Sequence, residues 1–342
     1  MFPPSDSGKI QLLVYLRGMV QFHFVLLSFL GLIGLLRPTE AVAQAVPNPG
    51  ENVAFLVTFG AQADKSWGDD DFTQTFFFLV PKANRQPVYI RVFDPDCGGQ
   101  HDEAKFGWNT TTEFSLYGGA GAHSGPAARG TEPKGNFRSG TLLKTKTFGA
   151  DKIYDGQWYT FGPLNPLEGE FVPEFDGYVF KLIAQGKKGD DGNLYRYFLS
   201  TSPTQNVAVE GGNAFTYEYS FRLSPQRKAT THLYPFVNDR VVSIKQSNFD
   251  VDGDVALKIF SVAKNGHPAA ISGDKAWASS VHPITAKEHG LSLDLQLTSL
   301  AKATNDLVFY VTDQYDVALP FFAVPLGGPP RYHYEVDVKI RR

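Results

Sequence analysis

The chain has 342 residues, 42% of them hydrophobic and 20% charged, with a formal net charge of −3 at pH 7. That balance excludes wholesale disorder, and the lack of a basic stripe that would neutralise phosphates excludes nucleic acid as a natural partner. The single cysteine, Cys97, excludes an internal disulfide.

Residues 24–36 read FVLLSFLGLIGLL, an uncharged run preceded by Arg17 and followed by two small-residue frames, Ala41-Val42-Ala43 and Ala43-Gln44-Ala45. Positive, apolar, then A-x-A is the pattern of a secretory signal peptide, assigned here to residues 1–45. The run falls short of the about 20 apolar residues of a membrane span. An uncleaved N-terminal anchor is the alternative, and it is the only contact with a membrane that the sequence implies. The expectation is an exported protein, periplasmic, secreted or at the cell surface.

From there the chain is a succession of short strand patterns. Candidates are 52–59, 74–80, 87–93, 112–117, 177–184, 194–200, 240–245, 255–262 and 307–312, set apart by turn signals such as NPG, GDDGN, VEGGN and KNGH. Three further segments alternate strictly. In 214–223, Phe215, Tyr217, Tyr219, Phe221 and Leu223 share one face, and Thr216, Glu218, Ser220 and Arg222 the other. Residues 291–297 and 332–340 repeat the pattern. A period of two is that of a half-buried antiparallel strand with one solvated face. The 28 Phe and 15 Tyr suit such faces. Thr285 with Glu288 three residues on predicts one capped helical turn, and no long amphipathic helix is evident. Residues 118–140 are rich in Gly and small polar residues and are expected to form a long mobile loop. The fold class expected is all-β, with two antiparallel sandwiches: a large, jelly-roll-like domain over 46–225 and a smaller, immunoglobulin-like one over 226–342. The polar segment 224–232, SPQRKATTH, marks the boundary.

Two acidic stretches carry the chemistry. FDPDCGGQHDE, residues 93–103, follows a strand and places Asp94, Asp96 and Asp102 in a loop that Gly98 and Gly99 allow to fold back. Hard cations such as Ca²⁺ take several carboxylate and carbonyl oxygens from tight loops of this kind. Zinc would require two more ligands beside Cys97 and His101, and a Cys97 nucleophile would require a placed base and an orienting group. The second stretch, SNFDVDGDVALKI over 247–259, matches the first half of a Ca²⁺ loop with Asn248, Asp250, Asp252 and Gly253. Its twelfth position is Ile259 where an EF-hand has Glu, and a strand pattern follows, so an EF-hand is excluded. Asp254 and the more distant Asp274 are the acids available to complete that shell. The opposing view treats both stretches as polar turns whose Asp side chains bond local N–H groups. The same view is taken of the acids in 68–72 and 186–197, the latter an Asp-Gly hairpin.

No G-x-S-x-G, H-E-x-x-H, G-x-x-x-x-G-K-[ST] or G-x-G-x-x-G pattern occurs, so no catalytic residue is assigned. The four tryptophans, Trp67, Trp108, Trp158 and Trp277, are expected mainly in the core, with a sugar-binding platform as the alternative. The function expected is a non-catalytic binding or structural module outside the cytoplasm, stabilised by calcium, with an envelope glycan or another secreted protein as partner. The rival is a polysaccharide hydrolase with paired carboxylates in the first domain.

Overall fold

The computed structural model describes residues 44–125, 127–130, 138–253, 255–300, 305–328 and 330–333. The apolar run 24–36, Asp254 and most of the alternating segment 332–340 lie outside these residues. The described chain is all-β: antiparallel strands, joined by short turns and single turns of 3-10 helix. Among the described residues no helix is long and apolar enough to cross a membrane.

Two large sheets dominate. One has nine strands, eight of them in the spatial order Trp277–Pro283, Ser243–Phe249, Asp306–Asp313, Glu218–Arg222, Phe55–Phe59, Gly192–Ser200, Val88–Phe93 and Trp158–Leu164. The ninth, Ala45–Val46, pairs with Phe198 and Tyr197. The second sheet has seven strands, six in the order Phe321–Phe322, Asn213–Thr216, Thr73–Pro81, Gly177–Lys188, Thr111–Gly118 and Thr141–Phe148. The two pack face to face. Phe76, Phe78 and Phe114 of the smaller sheet meet Tyr195, Tyr197 and Tyr219 of the larger, with ring centroids 5.3–6.4 Å apart and mostly edge to face, the geometry aromatic quadrupoles prefer. A four-stranded sheet, Thr230–Leu233, Asp294–Ser299, Val255–Phe260 and Asn265–Pro268, adds Leu233, Leu257, Ile259, Leu295 and Leu297 to the same continuous core.

The strand register explains several features of the sequence. Thr73–Pro81 has the unbroken apolar run FFFLV, residues 76–80, because both its faces are covered. Phe76, Phe78 and Val80 enter the core between the sheets, while Phe77 and Leu79 enter an outer cluster with Phe215, Tyr217 and Phe322. The alternating segment 214–223 is two strands. The chain leaves the seven-stranded sheet after Thr216 and joins the nine-stranded sheet at Glu218. Its polar face is therefore buried, contrary to the solvated face expected. Thr216 donates to the Thr75 carbonyl, and Gln74 bonds both the Glu218 carbonyl and the Ser220 N–H. Such pairing is obligatory for buried polar groups. The turn at Thr285–Glu288 forms as a capped 3-10 turn, Ala286–Glu288.

The nine-stranded sheet is continuous across the expected boundary at 224–232, because Glu218–Arg222 pairs with Phe55–Phe59 on one side and with Asp306–Asp313 on the other. The seven-stranded sheet also crosses it, through Phe215↔Phe322. The described part of 118–140 packs in: Ala122, His123 and Ala128 are buried. None of the four tryptophans is buried; Trp67, Trp158 and Trp277 are half-buried and Trp108 is exposed. Their positions at strand ends and turns account for this.

Glu51 closes the 3-10 turn Pro49–Glu51 and is buried under the core; its carboxylate accepts the Asn48 N–H at 2.6 Å and the Tyr219 hydroxyl at 3.3 Å. Burial pushes its pKa from 4.5 to about 8, against the smaller opposing effect of those hydrogen bonds. A folded pKa above the unfolded one means stability that is complete below pH about 4.5 and lost as the pH rises through about 8. Chemical denaturation across this window is expected to show falling stability in the wild type and a flatter profile in Glu51→Gln. Equal slopes in the two proteins would refute the assignment.

Candidate metal centres at the strand ends

The strand Ser243–Phe249 ends where its neighbour Trp277–Pro283 begins, with Phe249 opposite Trp277. Two loops therefore meet at this corner. In the first, Asp250, Asp252 and Gly253 all have positive φ, 61°, 58° and 72°. Asp and Gly tolerate this left-handed backbone better than most residues. Val251 points into the core between them. The second loop, 272–276, is tied to the first by Val251 N–H to Ser272 Oγ at 3.0 Å, Lys275 N–H to Asp250 Oδ1 at 2.8 Å and Ser272 N–H to Asn248 Oδ1 at 2.8 Å. As a result, one carboxylate oxygen each from Asp250, Asp252 and Asp274 lies within 4.8 Å of the others. Oxygens at 2.3–2.6 Å from one Ca²⁺ are separated by no more than about 5 Å, so the three can hold one ion.

Asp250 is buried, whereas Asp252 and Asp274 are exposed. Burial is the largest cause raising the Asp250 pKa to about 6, with Asp252 and Asp274 adding repulsion and the Lys275 N–H opposing it. The Lys275 ammonium pairs with Asp64 at 2.9 Å. The distant acid expected from the sequence is thus in place. Asn248 ties the two loops together. Its amide donates to Gln246 Oε1 and the Ala270 carbonyl, both at 2.9 Å, and accepts from Ser272, which positions the second loop.

A second group was expected to be a plain turn. Asp69, Asp70 and Asp71 also bring carboxylate oxygens within 4.8 Å of one another. Asp69 accepts the N–H groups of Phe59 and Phe72, each at 2.8 Å, and Asp71 that of Thr73 at 2.8 Å. Burial and mutual repulsion raise Asp69 to about 7 and push Asp71 well above the carboxylate range. The run of three acids was visible in the sequence. Its convergence depends on Gly68, at φ 88°, whose backbone lies against the Asp306 carbonyl where a Cβ would overlap at 2.1 Å.

The loop 93–103 divides its acids. Asp102 turns inward and staples the loop: its oxygens accept Gly98 N–H at 2.7 Å and Leu194 N–H at 2.6 Å. Burial pushes its pKa up to about 9. Asp94 and Asp96 face the other way, toward the loop 149–157. Asp94 N–H donates to Gln157 O and Cys97 N–H to Gly149 O, and Asp94 Oδ1 accepts Gly156 N–H at 2.7 Å. Cys97 is buried, and burial pushes its thiol up, so it is a core residue without thiolate character. His101 rests on the rings of Phe55 and Phe93. Glu103 pairs with Lys105 and Arg222, and Arg222 in turn holds Asp306 at 2.6 Å.

No protein-family model matches the chain, and no curated protein matches it in sequence. What the site can do rests on its geometry alone.

Removal of the Asp102 staple is the direct test of this division. Asp102→Ala leaves two N–H groups without their acceptor and is expected to cost about 2–4 kcal/mol, measured by urea denaturation. A loss below about 0.5 kcal/mol, the level of an ordinary surface change, would refute the structural role.

Proposed function

We propose that this chain is an exported, non-catalytic β-sandwich protein of the cell envelope or extracellular space, its loops braced by calcium and its surface engaging a glycan. The convergence of Asp250, Asp252 and Asp274 from two loops carries the proposal. Clustered carboxylates repel one another, and a hard cation that ties them together makes the loops part of the rigid body. Aspartates and a tight Gly turn match what calcium takes, and the described part of the corner offers no softer ligand.

Three further observations support this view. Residues 44–46 belong to the folded body, which favours cleavage after Ala43, in the first small-residue frame, over the boundary at residue 45 expected from the sequence. Gln44 is buried and grips both the N–H and the carbonyl of Val209, and Ala45–Val46 joins the large sheet. Phe106 is 85% and Trp108 41% exposed on one short loop beside Trp67; flat rings of this kind stack on sugars. Three clefts are each lined by one carboxylate, Glu288, Glu218 or Glu210, whereas glycoside cleavage takes two flanking the scissile bond.

The test is a thermal melt of the purified protein with excess Ca²⁺ and with EGTA. At about a hundredfold excess over Kd, binding to the native state alone adds about 2.7 kcal/mol. A rise of several degrees is expected in the wild type. It should be reduced in the double variant Asp252→Asn/Asp274→Asn, whose side chains are exposed. No calcium-dependent shift would end the calcium proposal. N-terminal sequencing of the exported protein is expected to begin at Gln44. A first residue of Val46 would instead assign the second frame, and an intact N-terminus would favour the anchor.

A further inference from the structure

The outward face of the nine-stranded sheet carries an array of rings and positive charge. On its adjacent strands Phe55–Phe59, Gly192–Ser200, Val88–Phe93 and Trp158–Leu164, the side chains of Leu56, Tyr195, Tyr197, Val92 and Phe161 enter the core. Side chains alternate between faces along a strand, so Phe55, Arg196, Phe93 and Trp158 face outward. They form one row across the strands. Arg196 stands opposite Phe93, and Phe93 opposite Trp158. The Arg196 guanidinium lies 4.1 Å from the centre of the Phe55 ring. With strands about 4.8 Å apart, the row is about 14 Å long. His101 rests on Phe55 and Phe93, with ring centroids at 5.3 and 5.7 Å. Phe93 and Trp158 lie 5.4 Å apart. These four rings are half-buried, and Arg196 is exposed. Two residues before Phe93 on the same face, Arg91 stacks on the Trp158 ring at 4.9 Å.

Both guanidinium groups are held by neutral acceptors. Arg196 donates to the Ala54 carbonyl at 3.0 Å, and Arg91 to the Asn206 side chain and to Thr160 Oγ1 at 3.4 Å. Among the described residues neither forms an ion pair, whereas Arg222 of the same sheet is matched by Glu103 and Asp306. Arg91 is 5% exposed, and burial is what lowers the pKa of both groups. A guanidinium stacked on rings, with no counter-charge in its own chain, is suited to a carboxylate or sulfate brought by a ligand. Arg196 presents its charge to solvent, and Arg91 adds charge from beneath. The face continues along Val88–Phe93 to Tyr89, which lines a cleft of about 920 Å³ with Arg85, Gln86, Thr201 and Glu210. Ligand sites typically enclose about 300–1,000 Å³.

We infer that the row Phe55–Arg196–Phe93–Trp158, with His101, is a binding track for an acidic glycan, one that bears carboxylate or sulfate groups. Phe55 and Phe93 hold Arg196 and His101 in place from beneath. Trp158 and His101 supply the flat surface for sugar rings, and Arg196 pairs with the anions. The inference rests on the glycan reading above and gives it a surface and a ligand class. It shares no residue with the corner at Asp250, Asp252 and Asp274.

The test is titration calorimetry of the full purified protein with hexagalacturonate, dextran sulfate and cellohexaose, which are carboxylated, sulfated and neutral. EGTA is present so that calcium does not bridge protein and glycan. At least one acidic glycan is expected to bind about tenfold more tightly than cellohexaose, and added salt should weaken it, because exposed charges are screened. Arg196→Gln is expected to lower that affinity about tenfold, and Arg196→Lys, which keeps the charge, to retain most of it. Arg196 is exposed, so both variants should melt with the wild type. Trp158→Ala is expected to weaken every glycan that binds. If an acidic glycan binds Arg196→Gln and Trp158→Ala as it binds the wild type, the inference is overturned and the glycan reading stands. Cellohexaose binding as tightly as the acidic glycans overturns the ligand class and also leaves that reading standing. If none of the three binds, the inference and the glycan reading fall together.

Discussion

The molecule is held together where the strand Glu218–Arg222 lies between Phe55–Phe59 and Asp306–Asp313. These pairings merge the two halves of the chain into one nine-stranded sheet. Both faces of the segment 213–222 are buried, and every polar group on it has to find a partner inside the protein. The partners are there: Gln74 and Thr75 for the backbone and hydroxyl groups, Asp306 and Glu103 for the Arg222 guanidinium. The two-point contact of Arg222 with Asp306, at 2.8 and 2.6 Å, joins a strand end to its neighbour and keeps a buried carboxylate charge-balanced. A hydrophobic core alone would tolerate sliding between sheets. These directional contacts fix the register.

The same architecture concentrates negative charge at strand ends. Each acidic loop follows or precedes a strand whose next residue is committed to the core, so the loop cannot swing its carboxylates far into water. Asp69, Asp94, Asp96 and Asp250 are all buried as a result. Their pKa values rise for one common reason, burial, with neighbouring carboxylates adding to it. Backbone N–H groups offset part of this: both oxygens of Asp102 and Asp69 are engaged, although burial still holds their pKa values above the ordinary range. They do so only partly for Asp94 and Asp96. The difference separates acids with both oxygens engaged from acids left with one oxygen unpaired, and it lies in where the donors point rather than in the residue types.

A cation at such a loop acts on dynamics more than on the core. The aromatic packing between the sheets stands without it. On the calcium proposal, what an ion changes is the freedom of the loop 272–276, which leads into the half-buried Trp277. Fixing such rings in advance lowers the ordering cost of meeting a ligand. Loops of this kind, positioned by a rigid sheet, are where binding residues concentrate in β-sandwiches.

The all-β class was legible from the period-two patterns, the turn signals and the lack of helical periodicity, because strand faces and turns are local properties of the chain. The capped turn at Thr285–Glu288 was legible for the same reason, and so was the pairing of Asp274 with the Asp250 loop as a possibility. The switch of 214–223 from one sheet to the other was not. Its alternation continues unbroken across Tyr217, and only the long-range partners, Phe77 and Phe322 before it and Leu56 and Phe309 after it, divide it. Nor was the fate of individual acids. Asp102 and Asp94 sit in one loop of one composition, yet Leu194, 92 residues away, supplies the donor that makes Asp102 a staple. Nothing in the chain near Asp94 gives its second oxygen such a partner. The sequence by itself determined that the chain is built of strands and turns and where carboxylates gather, although Thr141–Phe148, Trp158–Leu164 and Trp277–Pro283 carry no clear strand pattern of their own. The tertiary structure decided which carboxylates meet, because hydrogen-bond donors and neighbouring charges arrive from remote strands whose register no local pattern specifies.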